Sequence, residues 1–264
     1  MGSATREALA QSVAALNAVS DSVDLSTAAS LLDAGHVIDA SAQLRTLIAD
    51  PAEDSGTKAS VIGRVFGDRV DGSARSLLET VASARWSSSD DLLAGVEELG
   101  IRAAAVASGD APIESELFQF GQVVTANAEL ELALSSKLGD PARKADVVKR
   151  LLDGTASEAT VVIVSRLIQQ PRGRRIGKLL RTAASTVADQ RGRTIATVTS
   201  ANPLTDAQRD QLRERLAATY GRDITFNLVV DPSLVGGMRI QAGDDVIDAS
   251  IVSRLGDLKL KLAG

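Results

Sequence analysis

Cysteine is absent from the 264 residues, which excludes a disulfide framework, a thiolate nucleophile and any zinc or iron–sulfur site that needs sulfur. Histidine occurs once, at His36, so neither a two-histidine metal site nor an HExxH helix can be built within the chain. A Ser-His-Asp relay would have to run through His36, which sits in the apolar-rich stretch Ala34-Gly35-His36-Val37-Ile38 and reads as a helix residue rather than a catalyst. Aromatics make up 2% (Phe66, Trp86, Phe118, Phe120, Tyr220, Phe226). The longest aliphatic block is Val161-Val162-Ile163-Val164, far short of the ~20 apolar residues that span a bilayer. The opening Met1-Gly2-Ser3-Ala4-Thr5-Arg6 has no hydrophobic signal region, and Arg6 stands where a myristoylation pattern takes Ser or Thr. A cytoplasmic location is therefore expected.

What is present is a 44% apolar composition dominated by Leu, Val, Ile and Ala. The length fits about two domains, and alanine-rich segments favour helices that approach one another closely. The net charge is −5, which argues against nonspecific nucleic-acid binding, but it is unevenly spread. Residues 166–193 carry eight Arg or Lys against one acid, Asp189, while residues 1–165 sum to −11.

Leu92, Val96, Leu99, Ala103 and Val106 recur at spacings of four and three behind Ser87-Ser88-Ser89-Asp90, a capped amphipathic helix. The same spacing runs through Ile113, Leu117, Phe120 and Val124, and through Ile176, Leu180, Ala183 and Val187. Helices should stop at Asp50-Pro51, Gly67 to Gly72, Gly109 to Pro112, Gly139-Asp140-Pro141, Asp153-Gly154 and Gln170 to Gly173. Compared with itself, the chain repeats. Lys58 to Phe66 matches Lys144 to Leu152 at an offset of 86. Asp50-Pro51 pairs with Asp140-Pro141, Leu77-Leu78 with Val161-Val162, and Leu92/Val96 with Ile176/Leu180, as if one helical unit were used twice.

After Arg193 the periodicity becomes alternating. Thr194 to Ser200 reads as a strand, Thr205 to Gln208 as a capping box opening a helix through Leu212, Leu216 and Tyr220, and Ile224 to Val230 as a second strand. Met238 to Gln241 and Val246 to Asp248 flank a turn, and a last helix places Ile251, Leu255, Leu258 and Leu262 on one face. The fold expected is α+β and predominantly α: two helical units, 1–110 and 111–191, then a small C-terminal α/β domain, 192–264.

No active site emerges. Gly173-Arg174-Arg175-Ile176-Gly177-Lys178-Leu179 fails as a phosphate loop: its glycines are too close, Leu179 replaces the magnesium-binding hydroxyl, and no strand precedes it. Asp244, Asp245 and Asp248 lack Ca²⁺-loop spacing, and Gly236-Gly237 reads as a bulge or a close backbone approach. Catalytic, cofactor and metal residues are accordingly expected to be none. The basic stripe lacks aromatics for base stacking and suits a solvated helix face or an acidic protein partner.

The tail is specific. Val229-Val230-Asp231-Pro232-Ser233-Leu234-Val235-Gly236-Gly237-Met238-Arg239-Ile240-Gln241-Ala242-Gly243-Asp244-Asp245-Val246-Ile247-Asp248, followed by Ser253-Arg254-Leu255, closely resembles the C-terminal signature of the ATP synthase delta subunit family, the bacterial counterparts of the mitochondrial oligomycin-sensitivity-conferring protein. Asp231, Gly236, Gly237, Arg239, Gly243 and Asp248 carry it; Ala249 departs from the family's usual glycine. The resemblance covers the whole chain and fits the longer versions of this subunit. It implies a non-catalytic stator part that handles neither nucleotide nor proton and reaches the cytoplasmic face of the membrane only through its complex. Its helical domain would receive the N-terminal helix of an alpha subunit, and its C-terminal domain would hold the end of the b-subunit stalk. Arg172, Arg174, Arg175 and Lys178, with Ile251, Leu255 and Leu258, are the candidate partner contacts. A helical adaptor for unrelated peptides and a weak nucleic-acid-binding module are the alternatives, separated by association with alpha and b subunits and by a salt-sensitive gel shift respectively.

Overall fold

The computed structural model describes residues 2–136, 139–234, 236–243 and 245–248. They form two compact units, Met1–Val187 and Ala188–Gly264. The first is helical: α1 (Ser3–Ala18), α2 (Leu25–Ala40), α3 (Ala42–Ala49), α4 (Ser55–Phe66), α5 (Gly72–Ser83), α6 (Ser89–Ala107), α7 (Ile113–Ala126), α8 (Ala128–Ser135), α9 (Pro141–Leu152), α10 (Glu158–Gln169) and α11 (Ile176–Gln190), whose last turn enters the second unit. Membership of the predominantly helical α+β class holds.

Local chemistry starts most of these helices. Asp24, Ser41, Asp54, Asp71, Ser88, Asn127, Asp140 and Ser157 each accept a first-turn N–H on a side-chain oxygen, satisfying donors that a helix start otherwise leaves orphaned. The expected apolar faces are buried: Leu92, Val96, Leu99 and Ala103 on α6, where Val106 at the helix end is only half-buried, Ile113, Leu117, Phe120 and Val124 on α7, and Ile176, Leu180, Ala183 and Val187 on α11.

Helices α3, α4 and α5 reappear as α8, α9 and α10 with bounds shifted by 86 residues. Buried positions recur at the same shift: Leu31 and Leu117, Ile38 and Val124, Ile48 and Leu134, Lys58 and Lys144, Ile62 and Val148, Phe66 and Leu152. Between α6 and α11 the shift is 84, pairing Leu92 with Ile176, Val96 with Leu180, Leu99 with Ala183 and Ala103 with Val187. Two of the pairings read from the sequence need correction. Asp50-Pro51 lies in the loop before α4, so the residue matching the cap Asp140 is Asp54. Leu77 and Leu78 match buried Ile163 and Val164, because Val161 and Val162 sit one turn-edge outside the buried stripe of α10.

α6 contacts α1, α2, α3 and α5 on one side of the repeat and α10 on the other. That explains why its burial extends beyond one stripe, to Leu93, Ile101, Ala104 and Ala105. Trp86, in the connection from α5 to α6, is buried, donates its indole N–H to the Val81 carbonyl at 2.8 Å, and lies against Gly95, whose missing side chain makes room for the ring.

The second unit contains β1 (Arg193–Ser200), α12 (Asp206–Tyr220), β2 (Asp223–Val230), β3 (Met238–Ala242) and β4 (Asp245–Asp248), with sheet order β2-β1-β3-β4. β1 and β2 run parallel, joined through α12, while β3 is antiparallel to β1 and to β4, as a helical crossover followed by a hairpin requires. The Thr205–Gln208 capping box forms, and α12 stops at Gly221 in the left-handed region. Leu216 packs with Ala196, Val198, Ile224, Ile240 and Ala242. The expected final helix through Ile251, Leu255, Leu258 and Leu262 lies outside the described residues.

Candidate functional site

The basic stretch after α10 divides into two parts. Arg172 and Arg174 turn into the helical unit and converge on Glu97 of α6: Arg172 donates at 2.7 Å, and Arg174 donates two N–H groups at 2.6 and 2.7 Å. This two-toothed geometry is the strong form of an arginine–carboxylate pair. Arg172 reaches it from the left-handed region (φ 50°), next to Gly173 (φ 75°), a conformation costing a non-glycine residue about 1–2 kcal/mol. Farther back, Arg166 pairs with Asp33 at 3.3 Å, and Gln170 donates to Asp39. These contacts join α2 and α6 to α10 and its following turn.

Arg175, just before α11, and Lys178 on it are exposed, together with Arg181. The expected stripe is thus half spent on an internal tie and half open. Glu97, Asp33 and Asp39 were not singled out in the sequence, because each partner lies 75 to 133 residues away and an acid on the polar side of an amphipathic helix carries no local sign of it.

His36 is half-buried on α2. Burial pushes its imidazole below the ordinary 6.5, with Asp33 opposing, and no serine–carboxylate relay is built on it among the described hydrogen bonds. No group of three or more His, Asp or Glu able to hold a metal ion occurs among the described residues. No helix among them is long and apolar enough to cross a membrane.

Asp231 and the glycines of the tail shape the backbone around β3. Asp231 accepts the Ser233 N–H at 2.9 Å and the Ser233 hydroxyl at 2.7 Å, bonds that hold its carboxyl below the usual range and set the turn leaving β2. Gly236 and Gly237, just before β3, have φ of 83° and 81°, a region that side chains disfavour. Gly243 (φ 60°) makes the β3–β4 turn. Arg239 and Asp248 stand opposite each other in the β3–β4 register, a favourable cross-strand pairing of charges. Ile251, Leu255 and Leu258 lie outside the described residues.

Known proteins resemble this chain over its whole length. The family model for the ATP synthase delta (OSCP) subunit matches residues 101–262. A protein of Leifsonia xyli named ATP synthase subunit delta is 53% identical over 265 residues, covering 100% of both chains. A Streptomyces avermitilis protein of the same name is 38% identical, covering 98% of each. A chain in the cryo-EM structure of the Toxoplasma gondii mitochondrial ATP synthase hexamer aligns over 80% of this chain and 97% of its own, at 14% identity and a TM-score of 0.39, too loose an overlap to bear on function.

Proposed function

The chain belongs to the ATP synthase delta (OSCP) subunit family, and from that premise we propose that it is a non-catalytic stator part of the F-type ATP synthase. In this reading the helical unit holds the N-terminal helix of an alpha subunit, and the α/β unit holds the C-terminal end of the b-subunit stalk. The chain sits at the cytoplasmic face of the membrane through the complex. Rotor torque would otherwise turn the catalytic head idly, and a static link converts that torque into work on the nucleotide sites.

The observation that carries the reading is the full-length match at 53% identity. Physical chemistry is consistent with it. A helix-in-groove contact needs apolar stripes between helices and no reactive group. Attachment at nanomolar affinity is worth about −12 kcal/mol, within reach of a few well-packed aliphatic anchors. The test is rebinding: membranes stripped of catalytic heads are mixed with purified heads, with and without this chain, and retained heads are counted. Retention only with the chain supports the reading; equal retention without it refutes it.

A further inference from the structure

We infer that the groove between α7–α8 and α11 docks an acidic helical segment of another protein chain. The argument starts from the equivalent groove of the first half, between α2 and α6, which is already filled. There Leu32, Gly35 and His36 of α2 and Leu93 and Glu97 of α6 face α10 and its following turn, leaving a cavity of only about 20 Å³. The wall is acidic, with Asp33, Asp39 and Glu97; the occupant is a helix and turn that brings Arg166, Gln170, Arg172 and Arg174 to it.

Shifted by 86 on α7 and 84 on α11, the five wall residues become Phe118, Gly121, Gln122, Gly177 and Arg181, and all five line one cleft of about 60 Å³. It shares Thr125, Gly177 and Arg181 with an adjoining groove of about 520 Å³. The close helix approach is kept as well: Gly35 lies against Val96, and Gly121 lies against Leu180. The same groove therefore exists twice, and among the described residues of the helical unit nothing fills the second one.

Its charge is inverted. Asp33, Asp39 and Glu97 correspond to Gln119, Thr125 and Arg181, and Asp91 corresponds to Arg175. Arg175, immediately before α11, and Lys178 and Arg181 on its exposed face are spaced by three, at the rim of the larger groove. None of the three has a carboxylate within ion-pair distance among the described residues. The one acid at the rim, Glu131, already accepts the Ile176 N–H at 3.1 Å. Beside the cations stands Leu132, at 72% the most exposed of the exposed large hydrophobics. A basic rim beside an apolar anchor selects a helix with carboxylates flanking an apolar stripe.

The first test uses the occupant of the filled groove as its probe. A labelled peptide of residues 158–174 carrying Arg166→Glu, Arg172→Glu and Arg174→Glu is titrated into the full chain by fluorescence anisotropy, beside the unaltered peptide. The acidic version should bind about tenfold more tightly or better, and the preference should vanish in a chain carrying Arg175→Glu, Lys178→Glu and Arg181→Glu, or Leu132→Asp, that retains its helical circular dichroism. Equal binding of both peptides, binding of neither, or a preference that survives charge reversal overturns the inference. A second test places a photo-cross-linker at Leu132 in the assembled synthase; only this arm rests on the family reading. The product expected is a carboxylate-rich helical segment of another subunit. No product, nucleic acid, a second copy of this chain, or its own C-terminal unit overturns the inference without touching the stator role, which head retention tests separately.

Discussion

Glu97 on α6 holds Arg174 through two parallel hydrogen bonds of 2.6 and 2.7 Å, joining residues 77 positions apart. Arg172 adds a third bond to the same carboxylate, and all three side chains are less than a third exposed. Replacing Glu97 by Gln keeps the shape but removes the charge that both guanidinium groups face. The expected loss is about 2 kcal/mol, as for a hydrogen bond to a charged group left half-made. Asp210→Asn, which breaks the exposed pair with Arg213, should cost about 0.5 kcal/mol or less. Urea midpoints separate the two; equal small losses would show that the Glu97 tie does not stabilise the helical unit.

His36 gives a pH dependence with a defined sign. Its imidazole sits below the ordinary 6.5 because burial disfavours the cation, so the folded chain binds fewer protons than the unfolded chain. Stability from this site is present above 6.5 and is lost as pH falls from there toward the lower folded value. The corresponding residue in the second half is Gln122, which makes His36→Gln a natural control. Between pH 7.5 and 5.5 the urea midpoint of the parent should fall more than that of His36→Gln. Parallel curves would contradict the burial of a neutral imidazole.

Gly95 tests packing against propensity. Alanine in place of a mid-helix glycine ordinarily adds about 1 kcal/mol, but a methyl group at Gly95 would run into the Trp86 ring. Overpacking of this kind costs about 1–3 kcal/mol. Gly95→Ala should therefore destabilise the chain and shift the emission of Trp86, its single tryptophan, to the red. A more stable variant with unchanged emission would place the ring elsewhere.

Features written in local spacing were legible from the sequence. The α7 stripe Ile113, Leu117, Phe120 and Val124 is buried residue for residue, and the Thr205–Gln208 box caps α12. Contacts closed by tertiary packing were not legible. Nothing near Glu97 announces Arg172 or Arg174, and Gly95 looks like a weak helix position until Trp86 is seen against it. The repeat was visible, but its register needed caps and burial: matching Asp-Pro pairs drew Asp50 to Asp140, whereas the capping role belongs to Asp54. The filled and open grooves emerge only when that register is applied to the folded chain.

The central claim is that this subunit transmits restraint rather than chemistry. Its most direct test is proton-driven ATP synthesis in stripped membranes reconstituted with catalytic heads, measured with and without the chain while ATP hydrolysis by the heads is followed in parallel. The account predicts that synthesis is recovered only with the chain present, while hydrolysis by the heads persists in its absence. Full synthesis without the chain, or hydrolysis that requires it, would contradict the account.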